Sequence, residues 1–162
     1  MAYKDSSDLL LRATEFIFRE ARFQDEHQYD DWEALWTDDG VYWIPANGDD
    51  IDPEKQMSIV YDNRSRIALR IRQLHTGKRH AQAPRSRVRR VVSNIEIGES
   101  GEQGVQVFCN SLVFESAMRA DTLWSARTEY WLREGADGFR MSRKNVFLTN
   151  NDQALFTLAF LI

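Results

Sequence analysis

The chain has 162 residues, 43% hydrophobic and 28% charged, which suffices for one domain over residues 1–162 with a core of its own. Its net charge of −4 argues against nucleic acid or an anionic membrane as the main partner. The lone cysteine, Cys109, leaves no internal disulfide and too few thiolates for an iron–sulfur cluster. Together with the lack of a bilayer-length apolar run or a signal-peptide pattern, it points to the cytoplasm.

In chain order, Leu9, Leu10, Ala13, Phe16, Ile17 and Ala21 recur at helical spacing and predict a helix over 8–25, capped by Ser6 or Ser7. A short second helix is expected at 29–36, with Asp30 and Glu33 as a capping pair. It stops at Thr37-Asp38-Asp39-Gly40 and gives way to a short strand, 41–44, closed by Pro45. Three tryptophans, Trp32, Trp36 and Trp43, read as core anchors. Residues 46–57 read as a solvated acidic loop, because Asp49, Asp50 and Asp52 lack the register of a calcium loop. Val60, Arg64, Ile67, Ile71 and Leu74 track one stripe and predict a third helix over 58–74, ended by Gly77.

From Pro84 to Leu148 the pattern changes to four long strands, 85–97, 105–118, 122–133 and 139–148, separated by short polar or glycine-bearing breaks. That is an antiparallel meander whose strands must twist and curl. The parity of apolar residues shifts between Val88/Val92 and Val91/Ile95/Ile97, which predicts a β-bulge. Helices followed by a meander make an α+β fold. Their order resembles the cone-shaped roll of the nuclear-transport-factor-2-like (cystatin-like) superfamily, a long curved sheet packed on about three N-terminal helices.

His27, His75 and His80 have no metal-ligand spacing, and neither a phosphate loop nor a nucleophile elbow is present. No catalytic, cofactor-binding or metal-binding residue is therefore assigned. One enzymatic alternative is a stand-alone lyase or isomerase acting on a small hydrophobic molecule in the cone. Asp39, Tyr42 and His80, with Tyr61 and Glu129, would be its polar groups. Against it, Phe108, Leu112, Phe114, Trp124, Tyr130, Trp131, Phe139 and Phe147 supply enough bulk to fill a cone.

Two stretches point outward. Lys78, Arg79, Arg85, Arg87, Arg89 and Arg90 form a basic run, and Arg85, Arg87 and Arg89 share one strand face suited to carboxylates on another chain. The end of the chain, 154–162, is apolar except for Thr157. It must be buried as a last strand or against another subunit, and Phe156, Phe160 and Ile162 are expected interface residues.

The run 29–45, the segment 59–64 with Arg70 and Ile71, the run 84–95 and the apolar end after Asn150-Asn151-Asp152 resemble, in order, the β (small) subunit of aromatic-ring-hydroxylating dioxygenases. The resemblance implies a structural, non-catalytic subunit of a multicomponent oxygenase in aromatic-compound catabolism, assembled as α3β3 with self-association as a trimer. It implies that this chain binds no cofactor, while the α subunit carries a Rieske 2Fe–2S centre and a mononuclear Fe(II). The arene itself would be chosen in the partner's iron pocket.

Overall fold

The computed structural model describes residues 2–77, 85–155 and 157–162, with side chains from residue 5 onward. The elements are α1 (Ala2–Asp25), α2 (Tyr29–Glu33), β1 (Trp36–Pro45), β2 (Ser58–Asp62), α3 (Arg64–His75), β3 (Arg87–Gly101), β4 (Gly104–Ser116), β5 (Asp121–Gly135) and β6 (Gly138–Leu148). Six strands form one sheet in the order β2-β1-β6-β5-β4-β3. The meander β3 to β6 is antiparallel throughout, as the turn residues predict. β1 then lies parallel to β6, which makes the sheet mixed, and β2 closes that edge. The three helices stay on one face, with α1 against β3 and α3 against β1.

Two-residue loops join β3 to β4 and β5 to β6. At the first, Gly104 has φ +112, and a Cβ there would collide with the Leu132 carbonyl, so both the turn and the close approach of β5 require glycine. The expected bulge lies between Ser93 and Glu96, where the pairing with β4 shifts and Asn94 takes φ +53. Each long strand runs one to four residues past one or both of its expected ends, and the first extends to Gly101.

Several expectations need correction. α1 begins at Ala2, so Ser6 and Ser7 lie inside it and not at its start, and α2 ends at Glu33, so that Trp36 to Gly40 belong to β1. The helix expected over 58–74 is two elements, the edge strand β2 and then α3. Asn63 caps α3 by accepting from the Arg66 amide at 3.0 Å. The pair expected to cap α2 does something else: Asp30 meets His75 Nε2 at 2.7 Å and Glu33 accepts from Arg64 at 2.8 Å, so both tie α2 to α3. Finally, the C-terminal residues form no strand. They follow the sheet as an irregular segment whose Phe160, Leu161 and Ile162 join the chain's own core.

Candidate functional site

The space between the helices and the sheet is the natural place for an active site, so its contents decide what chemistry the fold permits. α1 buries Ala13, Phe16, Ile17, Glu20, Ala21, Gln24 and Asp25, a stripe at helical spacing in which Glu20 is the carboxylate that reaches deepest. β6 points Lys144, Val146 and Leu148 inward at strand spacing, after an irregularity near Ser142 that resets its phase. These two elements bring Glu20 and Lys144 together in the interior, where Lys144 Nζ donates to Glu20 Oε1 at 2.6 Å. Trp32 Nε1 donates to the same oxygen at 2.9 Å and the Tyr130 hydroxyl to Oε2 at 2.9 Å. Burial alone would raise the Glu20 carboxyl. The charge and hydrogen bond of Lys144, with the Trp32 donor, outweigh it and hold the group below the usual carboxylate value.

This constellation is fully enclosed. Trp32, Trp36 and Tyr42 pack edge-on or tilted at 5.5–5.9 Å around it. Its remaining side is closed by the C-terminal segment. Tyr42 donates its hydroxyl to the Ile162 carbonyl at 2.6 Å and accepts from the Ile162 amide at 3.2 Å, while Phe160 stacks edge-on against Trp124 at 5.8 Å. Arg90 secures the same segment by donating to the Leu161 carbonyl at 3.0 Å, and it pairs with Asp25 at 2.7 Å and Gln24 at 2.9 Å. Every polar atom of the Glu20–Lys144 pair thus faces protein, and the arrangement holds the roll shut.

The positions proposed from sequence scatter accordingly. Asp39 is on the surface, bound by Arg133 at 2.9–3.0 Å and by the Thr37 hydroxyl at 2.7 Å. Tyr42 is buried and committed to the backbone of Ile162; burial raises its hydroxyl far above the ordinary value. The two do not share a cavity. Tyr61 donates to Glu54, and Glu129 accepts from Gln106 and Trp131 on the sheet's other face. Cys109 is buried, and burial pushes its thiol up to about 12, so it stays protonated and inert. Lys78, Arg79, His80 and Phe156 lie outside the described residues.

Among the interface candidates the strand separates its arginines by parity. Arg87 and Arg89 are exposed, and Arg89 pairs with Glu26 at 2.8 Å, while Arg85, which precedes the strand, is exposed but lies against the Tyr29 hydroxyl of α2. Arg90 points inward to Asp25, with its side chain only 4% exposed. Phe160 and Ile162 are equally committed to the core, so the apolar end that suggested a partner is used inside the chain. The bulky groups expected to fill the cone also divide. Trp124, Tyr130 and Phe139 are buried inside, whereas Leu112 and Phe114 are about half exposed on the opposite face.

That opposite face is the unusual surface. Cross-strand partners Val91–Leu112 and Phe114–Leu123 put four large apolar side chains side by side on β3, β4 and β5, with Val91 67% and Leu123 65% exposed. Exposed apolar groups are ordinary singly, but a contiguous patch rimmed by charge marks an interaction surface. Arg87 and Arg89 supply that rim, lining a shallow groove with Phe114. Neither Glu20 and Lys144 nor Val91 and Leu123 were singled out from sequence. A glutamate inside a helical apolar stripe and a lysine in phase with Val146 and Leu148 were the legible signals.

Among the described residues no group of three or more His, Cys, Asp or Glu side chains is placed to hold a metal ion, and no helix is long and apolar enough to cross a membrane. A family model described as the ring hydroxylating beta subunit matches residues 19–153. The chain is similar to the 2-halobenzoate 1,2-dioxygenase small subunit of Burkholderia cepacia, 27% identical over 141 residues that span 84% of this chain and 86% of that protein. Among solved structures it is similar to the beta subunit of the benzoate 1,2-dioxygenase from Burkholderia mallei ATCC 23344, with a TM-score of 0.73 and 23% identity, covering 90% of this chain and 93% of that one. An NTF2-like protein with a cystatin-like fold from Novosphingobium aromaticivorans superposes with a TM-score of 0.57 and 16% identity over 91% of this chain and 88% of its own. The roll expected from the order of elements is therefore the observed fold.

Proposed function

This chain belongs to the ring hydroxylating beta subunit family, and we propose that it is the non-catalytic, structural small subunit of a multicomponent oxygenase. That oxygenase adds dioxygen to an aromatic carboxylate in aromatic-compound catabolism. The observation that carries the reading is the pairing of a closed interior with an open apolar sheet face, within a chain matched to the family over residues 19–153. A stand-alone enzyme of this fold needs a cavity with an accessible acid or base. Here the ionisable groups of the interior are tied to one another, and Asp39 and Tyr42 lie apart.

The carboxylate class of the substrate rests on the 2-halobenzoate named for the relative from Burkholderia cepacia. In this reading the large subunit carries the Rieske cluster and the mononuclear iron, and the single cysteine of this chain is one short of the two that a Rieske cluster takes. This chain's part is then mechanical. It presents Arg87 and Arg89 beside Val91, Leu112, Phe114 and Leu123 to a neighbouring subunit and works as one unit in an α3β3 assembly. Arg87 and Arg89 flank the apolar centre, the layout of an interface with a dry middle and a charged rim.

Coexpression with the large subunit, followed by native mass and iron analysis, tests this. The expected result is a mixed complex whose iron stays with the large subunit when the chains are separated. Iron retained by this chain alone, or turnover by it alone, overturns the reading.

A further inference from the structure

One groove on the outer sheet face carries a more specific message than its apolar neighbours. It has a volume of about 370 Å³ and is bounded by Val91 and Leu112 on one side and Thr149 on the other. Three polar side chains cross its floor in register, Ser93 of β3 opposite Asn110 of β4, and Asn110 opposite Arg127 of β5. Adjacent strands are about 4.8 Å apart, so the three side chains stand in one row within reach of a single small group. All three are exposed. Among the described residues the Arg127 guanidinium makes no salt bridge; it rests over the Phe108 ring at 4.8 Å, which fixes its plane and leaves its edges free to donate.

The surroundings sharpen the polarity. No acidic side chain lines this groove. Asp49 and Asp152 line a second groove beyond Arg127, where Asp49 already accepts from Asn151 at 2.6 Å. Thr149 donates to the Ser125 hydroxyl at 2.9 Å, which holds one wall in place. The row ends at Ser93 because β3 is the edge strand, and the bulge with Asn94 at φ +53 follows Ser93 directly and breaks the pleat along that edge. A guanidinium, an amide and a hydroxyl, with apolar shoulders and no carboxylate lining the groove, complement one carboxylate on an otherwise apolar surface.

We propose that Ser93, Asn110 and Arg127 form the socket for an aspartate or glutamate side chain of the large subunit, the point that sets the register of the apolar patch on its partner. The inference rests on reading the chain as a subunit, and it adds the residue chemistry that fixes the docking. Charge complementarity selects the occupant. A second copy related by a two-fold axis through this face would set Arg127 against Arg127, whereas a carboxylate would be held by a planar fork and shielded from water on one side by Val91 and Leu112.

The test is reassembly of the purified large subunit with wild-type chain, Arg127→Gln, Arg127→Lys and Asn110→Ala, with the association constant read at fixed salt. Arg127→Gln is expected to weaken association about tenfold or more, Arg127→Lys and Asn110→Ala by less, with unchanged melting of the free chains. Benzoate is titrated into the free chain in parallel as a probe for a small-molecule acid. Unchanged association of Arg127→Gln overturns the socket, and benzoate binding lost in that variant then assigns the groove to a free acid instead. Failure of the wild-type chain to associate at all is a different result, which overturns the subunit reading itself.

Discussion

The two faces of the same sheet solve opposite problems. On the helix side the buried charges are tied down: Glu20 with Lys144, Asp25 with Arg90, Asp62 with Arg70, and Glu115 by the Trp124 N–H. The C-terminal segment closes the remaining gap through Tyr42, Arg90 and Trp124. On the other side the strands leave Val91, Leu112, Phe114 and Leu123 in solvent and Arg127 without a salt bridge among the described residues. The inner face is packed shut, and the outer face leaves large apolar side chains exposed. The contrast teaches that burial of ionisable groups is not by itself a sign of catalysis. What matters is whether a third molecule can reach them.

The largest expected effect breaks the inner face. Lys144→Met leaves the Glu20 carboxylate buried without its cation and should cost about 3–5 kcal/mol, a fall in Tm of roughly 6–20 °C by calorimetry. Glu20→Leu combined with Lys144→Met removes both charges and should recover most of that loss; a double variant no better than the single one would mean that the pair is not the cause. Next comes the plug. Phe160→Ala removes the ring packed on Trp124 and is expected to destabilise the chain by about 3–5 kcal/mol in urea titration.

Acid sharpens the same point. The Glu20 carboxyl is depressed in the folded state relative to 4.5 unfolded, so its contribution to stability is complete above that value. It is lost as the pH falls through the lower folded value. Glu20→Gln should flatten this acid limb of the stability profile, measured by thermal melts from pH 7 down to about pH 2.

The outer face should behave in the opposite way. Leu123→Asp is expected to change the stability of the free chain by no more than about 0.5 kcal/mol, or to raise it, because its side chain stands in water. The same substitution should block assembly with the large subunit on size exclusion. Normal assembly of this variant would remove the patch from the interface.

The sequence exposes some of this and hides the rest for physical reasons. The meander is legible because its turns carry Gly101, Gly104, Gly135 and Gly138, residues with a local reason to be there. The strand β2 is hidden because Val60 falls in phase with Ile67, Ile71 and Leu74 as if on one helix; the break is marked only by Asn63, which caps α3. Which face of β4 is inside cannot be read from its own residues. Val113 is buried while Leu112 and Phe114 are exposed, and all three are apolar. Burial there is decided by where the helices dock, a tertiary fact. The tail misleads for a similar reason: an apolar end announces burial but not the identity of what covers it, and here the cover is Trp124, Tyr42 and Arg90 of the same chain.

The division of labour between the faces is tested most directly by hydroxyl-radical footprinting of this chain, free and within the oxygenase. Assembly is predicted to protect Leu112, Phe114 and Leu123 strongly while Trp32, Trp36 and Phe160 remain as unreactive as they are in the free chain. Equal reactivity of the outer-face residues in both states, or new protection confined to the C-terminal segment, would contradict it.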